Sequence, residues 1–353
     1  MSAYDPLSGY LRDILDQPAA LEATRQGLEN GLELNGLPQR LAAGDFNTLV
    51  LTGMGSSYHV LQPLYYTLAG YTLAGRGLAV VLLETGELIH HAAQVLHTRT
   101  LVVAVSQSGR SAEIVRLLDA AAERGASVLG VTNTAGSPLQ QRSAAHILTQ
   151  AGAEFTVSCK TYLSALLGLR WLAAALTGES LAAVGEAARP IAGAAQAYLA
   201  HWPEYTARLE ERLAGVEHLF LVGRGASLAA CGTGGLITKE SAHVHAEGMS
   251  SAALRHGPLE MLDAHCFVGV FAGEEPTRGL NRRLYDELAS YAIPAGWIDS
   301  GPGADACDLP AAPAGLRPIL EILPVEMMTL ALAHLRGRRA GDFSRGGKIT
   351  LTE

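Results

Sequence analysis

TLVVAVSQSGRSAEIVRLLDAAAERG, residues 100–125, changes rhythm halfway along. It begins with an unbroken β-branched and apolar run that ends at Val105, as a buried strand does. From Ser111 or Ala112 onward the apolar residues recur every three to four positions, as on one face of a helix. Between the two runs lie Ser106, Gln107, Ser108, Gly109, Arg110 and Ser111. Strand, polar turn and helix follow one another with no room for anything else. That unit is the element of a parallel sheet covered by helices.

The same theme recurs on either side. LVLTGMGSSY (49–58) and VVLLETG (80–86) come before it, and SVLGVTNTAGSP (127–138) and HILTQAG (146–152) come after. Short strands alternating with amphipathic helices imply βαβ units with right-handed crossovers. Before them, residues 1–45 read as short polar helices: LRDILDQ, LEATRQGLENGL and LPQRLAA. After them, Tyr162 to Leu213 reads as a long helical region, broken near Pro190.

At HLFLVGRGASLAA (218–230) the strand–turn–helix pattern returns. LVLTGMGSS and LFLVGRGAS share a frame in which Gly53, Gly55 and Ser57 match Gly223, Gly225 and Ser227, each pair 170 positions apart. CFVGVFAG, AGWID and RPILEILPVEMMTLALAHLRG continue the second series. The expectation is an α/β protein of two similar, tandem doubly wound halves. Residues 46–200 form the first half and 201–337 the second. Residues 1–45 precede them as a helical segment, and 338–353 follow as a tail.

Composition excludes several classes. Of 353 residues, 48% are hydrophobic and 17% charged, which suits a packed chain and not a disordered one. A formal net charge of −8, with no local Lys/Arg cluster, argues against a nucleic-acid partner. The first residues lack a basic stretch followed by an apolar core, and no apolar run is expected to reach membrane-spanning length. Cys159, Cys231, Cys266 and Cys307 are well separated and show no CxxC pairing. A reduced, cytoplasmic protein without a membrane partner is expected.

Serine hydroxyls and free backbone N–H groups at a helix N-terminus make an anion site, and Gly109 lets a ligand approach the backbone. The alternative is an ordinary serine-rich N-cap. No Gly-Lys-Ser/Thr follows, so the turn is not a P-loop. In GMGSSY, Ser56 and Ser57 occupy a second strand-to-helix turn. The third glycine of a dinucleotide fingerprint is missing there. Two such turns at carboxyl ends of one sheet would converge on one ligand, most simply a phosphate.

ESAHVHAEGMSSAALRHGPLEM (240–261) gathers acid/base side chains. Read as a helix from Leu236 to about Glu247, it places Glu240, His243 and Glu247 on one face, with Gly248 ending it. His256 precedes Gly257 and Pro258, and Pro258 suits the first turn of another helix, whose positive end favours a neutral imidazole. Within a helix, His243 and His245 would point apart, so a metal is not expected. The competing reading is a solvated polar face.

These segments together resemble the SIS (sugar isomerase) family. In particular they are similar to the isomerase domain of glucosamine-6-phosphate synthase and to stand-alone glucosamine-6-phosphate deaminases and fructosamine deglycases. YLRDILDQPAAL resembles the family's opening helix, and GMGSSY and SQSGRSAE its two phosphate-binding turns. AGAEFTVSCKTY resembles the segment closing the sugar pocket, and GRGASLAACGTGGLITKESAHVHAE the start of the second half. ALRHGPLEML resembles the catalytic-histidine loop, and GRRAGDFSRGGKITLTE the tail that covers the sugar.

The resemblance implies that Ser57, Ser106, Gln107, Ser108 and Ser111 hold a sugar phosphate, with Ser56, Ser158 and Lys160 lining the pocket. It implies that Glu240 moves a proton between C1 and C2 of the open-chain sugar, provided burial brings its carboxyl toward neutrality. His256 would open the ring, and Lys348 would engage the open-chain ketose. Glu247 would be a structural partner. No cofactor or metal is implied, and the histidine loop would reach the site of a second subunit in a homodimer.

Departures from the pattern bear on the amino substrate. The first cysteine is Cys159, so no glutamine-hydrolysing nucleophile precedes the resemblance and glutamine is not the expected ammonia source. Ile237 and Ala253 stand where the synthase carries a lysine and a glutamate. Arg110 replaces an acidic residue, the segment before Lys160 is one residue short, and DFSRGG replaces a proline-containing tail. The leading expectation is a phosphosugar isomerase or amino-sugar-phosphate deaminase. A deglycase and a simple aldose–ketose isomerase are alternatives, as is a non-catalytic sugar-phosphate sensor.

Overall fold

The computed structural model describes residues 8–72, 77–275, 277–303, 305–345 and 347–348. Helices α1 (Gly9–Leu15), α2 (Gln17–Gly31) and α3 (Leu37–Ala42) come first. The first α/β series then runs β1 (Thr48–Gly53), α4 (Ser56–His59), α5 (Leu61–Thr72), β2 (Ala79–Glu84), α6 (Thr85–His91), β3 (Thr100–Val105), α7 (Ala112–Arg124), β4 (Ser127–Thr132), α8 (Pro138–Arg142) and β5 (Ala145–Leu148). Three helices follow: α9 (Lys160–Thr177), α10 (Leu181–Leu199) and α11 (Trp202–Leu213). The second series runs β6 (His218–Gly223), α12 (Leu228–Ala242), β7 (His245–Ser250), α13 (Ser251–Leu254), β8 (Cys266–Phe271), α14 (Arg278–Ser290), β9 (Ala295–Ser300) and β10 (Asp308–Leu309). It closes with α15 (Arg317–Leu320) and α16 (Leu323–Leu335).

Both sheets are five-stranded and parallel, and they repeat one plan. The first is ordered β2-β1-β3-β4-β5 and the second, from its other edge, β7-β6-β8-β9-β10. Register repeats as well. Thr48 faces Ala79 and Thr100, and His218, 170 positions on, faces His245 and Cys266. The α/β fold with two parallel sheets is therefore as the strand–turn–helix repeats imply.

The chain forms two compact units. Among the described residues, one holds those of 19–153 and 160–189 with 347–348, and the other those of 8–18, 154–159 and 190–345. In the first unit Val50, Val102 and Ala104 of the central strands pack with Leu88, Ile114, Leu117 and Leu139. In the second, Phe220, Val222, Val268 and Val270 pack with Leu254, Leu284 and Leu288. β3 is buried along its whole length, which explains its unbroken apolar run.

Three sequence expectations are corrected. The helix expected from Leu236 to Glu247 ends at Ala242, because His243 turns into the left-handed region at φ 53°. The chain then enters β7, and from Val244 on buried Val244 and Ala246 alternate with exposed His245 and Glu247, a period of two. Glu240 and Glu247 therefore do not share a helix face, and Gly248 lies within the strand. Pro190 does not break its helix, since α10 runs through it. Pro190 and Glu186, whose carbonyl it leaves unpaired, both lie on the exposed face, where water can satisfy that carbonyl. Finally, residues 317–335 are long and apolar enough to cross a membrane by composition, but 89% of that stretch is buried within the protein as core helix.

Candidate active site

In an open parallel sheet, ligands bind beyond the carboxyl ends of the strands where the strand order reverses. In the first sheet that point lies between β1 and β3, and both serine-bearing turns leave from it. Each turn depends on a glycine. A Cβ at Gly53 would sit 2.6 Å from the Ser57 carbonyl oxygen, so the chain can double back there only over a bare Cα. Gly109 has φ +62°, and a Cβ on it would meet Ser137 Oγ at 2.3 Å.

The β3 turn is held from inside. Ser106 Oγ accepts the Gly109 N–H at 3.1 Å, and Ser108 Oγ accepts the Arg110 N–H at 3.4 Å. Both serines are buried, and each hydroxyl proton is left to donate to a ligand. The Gln107 carbonyl accepts from Thr132 Oγ1 and Thr134 Oγ1, each at 3.2 Å, and from the Asn133 N–H at 3.1 Å. Ser111 occupies the N-cap position of α7, yet its side chain makes no capping hydrogen bond. The ordinary-cap alternative therefore fails for that residue. Its hydroxyl and the first N–H groups of a 13-residue helix remain available to an anion.

Ser56 and Ser57 open α4, and Ser56 Oγ is a buried atom without a hydrogen-bond partner. Lys160 opens α9 with 5% of its surface exposed. Lys348 belongs to the same unit and is half-buried. The tail's Gly346 and residues 349–353 lie outside the described residues. Sequence reasoning missed the backing layer of Thr132, Asn133 and Thr134. Its signal was present in VTNT, a polar triplet at the carboxyl end of the neighbouring strand β4.

The second unit carries Glu240, His256 and Ser158. Glu240 lies in the last turn of α12 and is half-buried. Near it Tyr10 is buried, its hydroxyl bonded to Thr329 Oγ1 at 3.1 Å. Burial first, then the Glu326 carboxylate, hold the Tyr10 hydroxyl well above its ordinary range, with Cys159 and Glu240 adding to the effect. Glu326 is itself fully buried, accepts from Gln17 Nε2 at 2.5 Å, and is pushed well up by burial.

Three segments meet at Gly341. Its N–H donates to the Ser241 carbonyl at 3.2 Å, and its carbonyl accepts from Thr156 Oγ1 at 2.7 Å. Its Cα also lies against Tyr10, where a Cβ would come within 2.5 Å. The start of the tail is thus fastened to the end of the Glu240 helix and to the segment containing Ser158. His256 is exposed on the loop between α13 and a 3₁₀ turn at Pro258–Met261, so Pro258 begins a single short turn and not a full helix. Ile237 is fully buried in α12 and Ala253 is exposed. Among the described residues, no three His, Cys, Asp or Glu side chains group as ligands for one metal ion.

This arrangement defines an α/β protein whose first sheet presents two hydroxyl-lined turns at its switch point. Residues 45–175, which carry both serine turns, match the SIS domain. Those residues are a SIS domain. It is 29% identical over 344 residues to the glutamine–fructose-6-phosphate aminotransferase (isomerizing) of Pyrococcus horikoshii, a match covering 93% of this chain and 55% of that protein. The chain thus spans about half the length of the curated relatives it matches. Among solved structures, the C-terminal domain of glucosamine-fructose-6-phosphate aminotransferase from Francisella tularensis superposes with a TM-score of 0.81 at 20% identity, covering 96% of this chain and 99% of that one. Glucosamine-6-phosphate deaminase from Thermotoga maritima superposes with a TM-score of 0.74 at 20% identity, covering 98% of this chain and all of that one.

Proposed function

We propose that the protein is a homodimeric enzyme acting on a C6-phosphorylated amino sugar, with conversion of glucosamine 6-phosphate to fructose 6-phosphate and ammonia as the leading case. The observation that carries this reading is the switch point of the first sheet. Its hydroxyls and uncapped helix N-terminus suit a phosphate, and that turn lies in a SIS domain. Ser57, Ser106, Gln107, Ser108 and Ser111 hold the phosphate, and Ser56, Ser158 and Lys160 line the pocket.

His256, exposed within its own chain, opens the ring at the site of the partner subunit by moving a proton at the anomeric oxygen. Glu240 then takes the C2 proton of the open-chain aldehyde and returns a proton to C1. The enolamine becomes a C2 imine, and water hydrolyses it to the ketose and ammonia. Lys348 stabilises the open-chain form. The carbonyl acidifies the neighbouring C–H itself, so this route requires no metal and no organic cofactor. Run on a fructosamine 6-phosphate, the same residues move a proton from C1 to C2 and release the amine from C1.

The test is the release of ammonia and fructose 6-phosphate from glucosamine 6-phosphate, with EDTA present, by the wild type and by Glu240→Gln. Loss of a proton-transfer group costs about 10²–10⁴-fold in turnover, while binding of the sugar phosphate should survive. A wild type that binds the substrate without turning it over would sink glucosamine 6-phosphate as the substrate. Fructosamine 6-phosphates would then be assayed, and a protein that binds but converts none of them is a sensor.

A further inference from the structure

The leading edge of the second sheet gathers histidines that the proposed chemistry does not use. His218 and His245 are the first residues of β6 and β7, and they face each other in register. Their Nδ1 atoms lie 3.2 Å apart, with the rings nearly perpendicular at 86°. Two neutral imidazoles can make that contact only if one proton lies between the two nitrogens. The other ring nitrogen of His245, Nε2, is 3.6 Å from Glu247 Oε1, two residues along on the same face of the strand. A further carboxylate stands close by. Asp263 accepts the His265 N–H at 2.8 Å, and that bond first holds its carboxyl below its ordinary range.

We propose that His218 and His245 form a two-imidazole chelate for a borderline divalent transition-metal ion, typified by Zn²⁺, with Glu247 orienting one ligand. Tetrahedral coordination with Zn–N bonds near 2.0–2.1 Å sets the two ligand nitrogens about 3.4 Å apart, so the separation already fits and the rings need only turn to aim both lone pairs at one ion. The ion takes the place of the shared proton. The ring that held this proton becomes its Nε2–H tautomer, so no net charge is lost from the protein. His245 then directs its Nε2–H at Glu247, the carboxylate–histidine–metal arrangement that raises ligand basicity. Imidazole ligands without thiolate favour Zn²⁺, Ni²⁺ or Cu²⁺ over Mg²⁺ or Ca²⁺.

With no third protein ligand among the described residues, water completes the shell and the affinity is that of a two-point chelate. His245 and Glu247 are exposed, so the ion reaches the pair directly from solvent. The structural consequence falls on β7. It is an edge strand, bonded only to β6, and it links the Glu240 helix to the His256 loop. A bound ion cross-links its first residue to the sheet.

The test is calorimetric titration of the EDTA-stripped, buffer-exchanged chain with ZnCl₂ at neutral pH, with MgCl₂ as the control. One Zn²⁺ per chain is expected, in the micromolar range, with no response to Mg²⁺. His218→Ala and His245→Ala should each weaken binding more than about tenfold, and Glu247→Gln by about tenfold. Circular dichroism establishes that each variant is folded. A wild type that takes up no Zn²⁺, or uptake unchanged in H218A/H245A, would overturn the proposal. Neither result bears on the assay for Glu240, so the two readings fail independently.

Discussion

The two sheets share strand order and register, yet their switch points have been filled in opposite ways. Gly53, Gly55 and Ser57 at the end of β1 correspond to Gly223, Gly225 and Ser227 at the end of β6. In the first sheet the hydroxyls face a turn shaped by neutral groups, and no carboxylate bonds to them among the contacts of the turn. In the second, Ser227 Oγ donates to Glu321 at 2.8 Å, and Arg317 Nε donates to the same carboxylate oxygen at 3.3 Å. Arg317 also reaches Asp299, which Arg278 and the Trp297 ring N–H bind as well. Where β3 runs into Ser106-Gln107-Ser108, β8 runs into Ala272-Gly273-Glu274. An internal carboxylate thus occupies the hydroxyl that an external anion would need. The fold supplies a turn of the same shape at each switch point, and a few side chains decide whether its hydroxyl is taken up internally.

The comparison breaks most sharply at the glycines. Gly109→Val places a side chain where a Cβ alone would meet Ser137 Oγ at 2.3 Å, on a residue at φ +62°. The turn has to deform, and the KM for a sugar phosphate should rise more than about 100-fold, since a misplaced binding group of about 1 Å can cost that much. Gly225→Ala is the mirror experiment. Its φ of +58° is strained for alanine, but nothing lies within 4 Å of a Cβ there. It should cost about 1 kcal/mol of stability and leave KM unchanged. Equal effects of the two substitutions on KM would mean that both switch points bind substrate.

Next come the hydroxyls themselves. Ser108→Ala removes one donor to a charged ligand, worth about 1.5–3 kcal/mol, so the KM should rise about tenfold or more with kcat little changed. Ser227→Ala removes a donor to the buried Glu321 instead. Its effect should appear in the denaturation midpoint, at about 1–3 kcal/mol, and not in KM.

Much of this contrast could be read along the chain, and some could not. The period of each segment gave strands and helices, and the frame shared by 49–57 and 219–227 gave the duplication, because both are local patterns. The run after Lys239 misled because the spacing of Glu240, His243 and Glu247 suits a helix, while the left-handed turn at His243 is a tertiary choice made where β7 joins β6. The second switch point could not be recognised as filled, since Glu321 lies 94 residues beyond the serine it binds. No periodicity reports that distance. For the same reason, the resemblance gave roles to Glu240 and His256, but the fastening of Gly341 to Tyr10, Thr156 and Ser241 became visible only in three dimensions.

The smallest expected effect tests what fills the second switch point. Burial raises the Glu321 carboxyl above its ordinary range, and the nearby Glu274 adds to this; Arg317 and Ser227 oppose it without cancelling it. A carboxyl raised in the folded state binds more protons there than in the unfolded chain. Stability from this group is therefore fully present below the unfolded carboxylate pKa, and it is lost as pH rises through the raised folded value. Each unit of elevation is worth about 1.4 kcal/mol once pH exceeds both. Glu321→Gln keeps an oxygen for Ser227 and Arg317 while removing the charge. Its urea midpoint relative to wild type should therefore improve from mildly acidic to mildly alkaline pH. A midpoint difference that stays flat, or that moves against the variant as pH rises, would mean that Arg317 holds Glu321 fully ionised. The second switch point would then be closed by an ion pair and not by a carboxyl that resists ionisation. Glu321 bonds the hydroxyl of Ser227 in the second sheet, so kcat/KM for the sugar phosphate should be the same in Glu321→Gln as in the wild type.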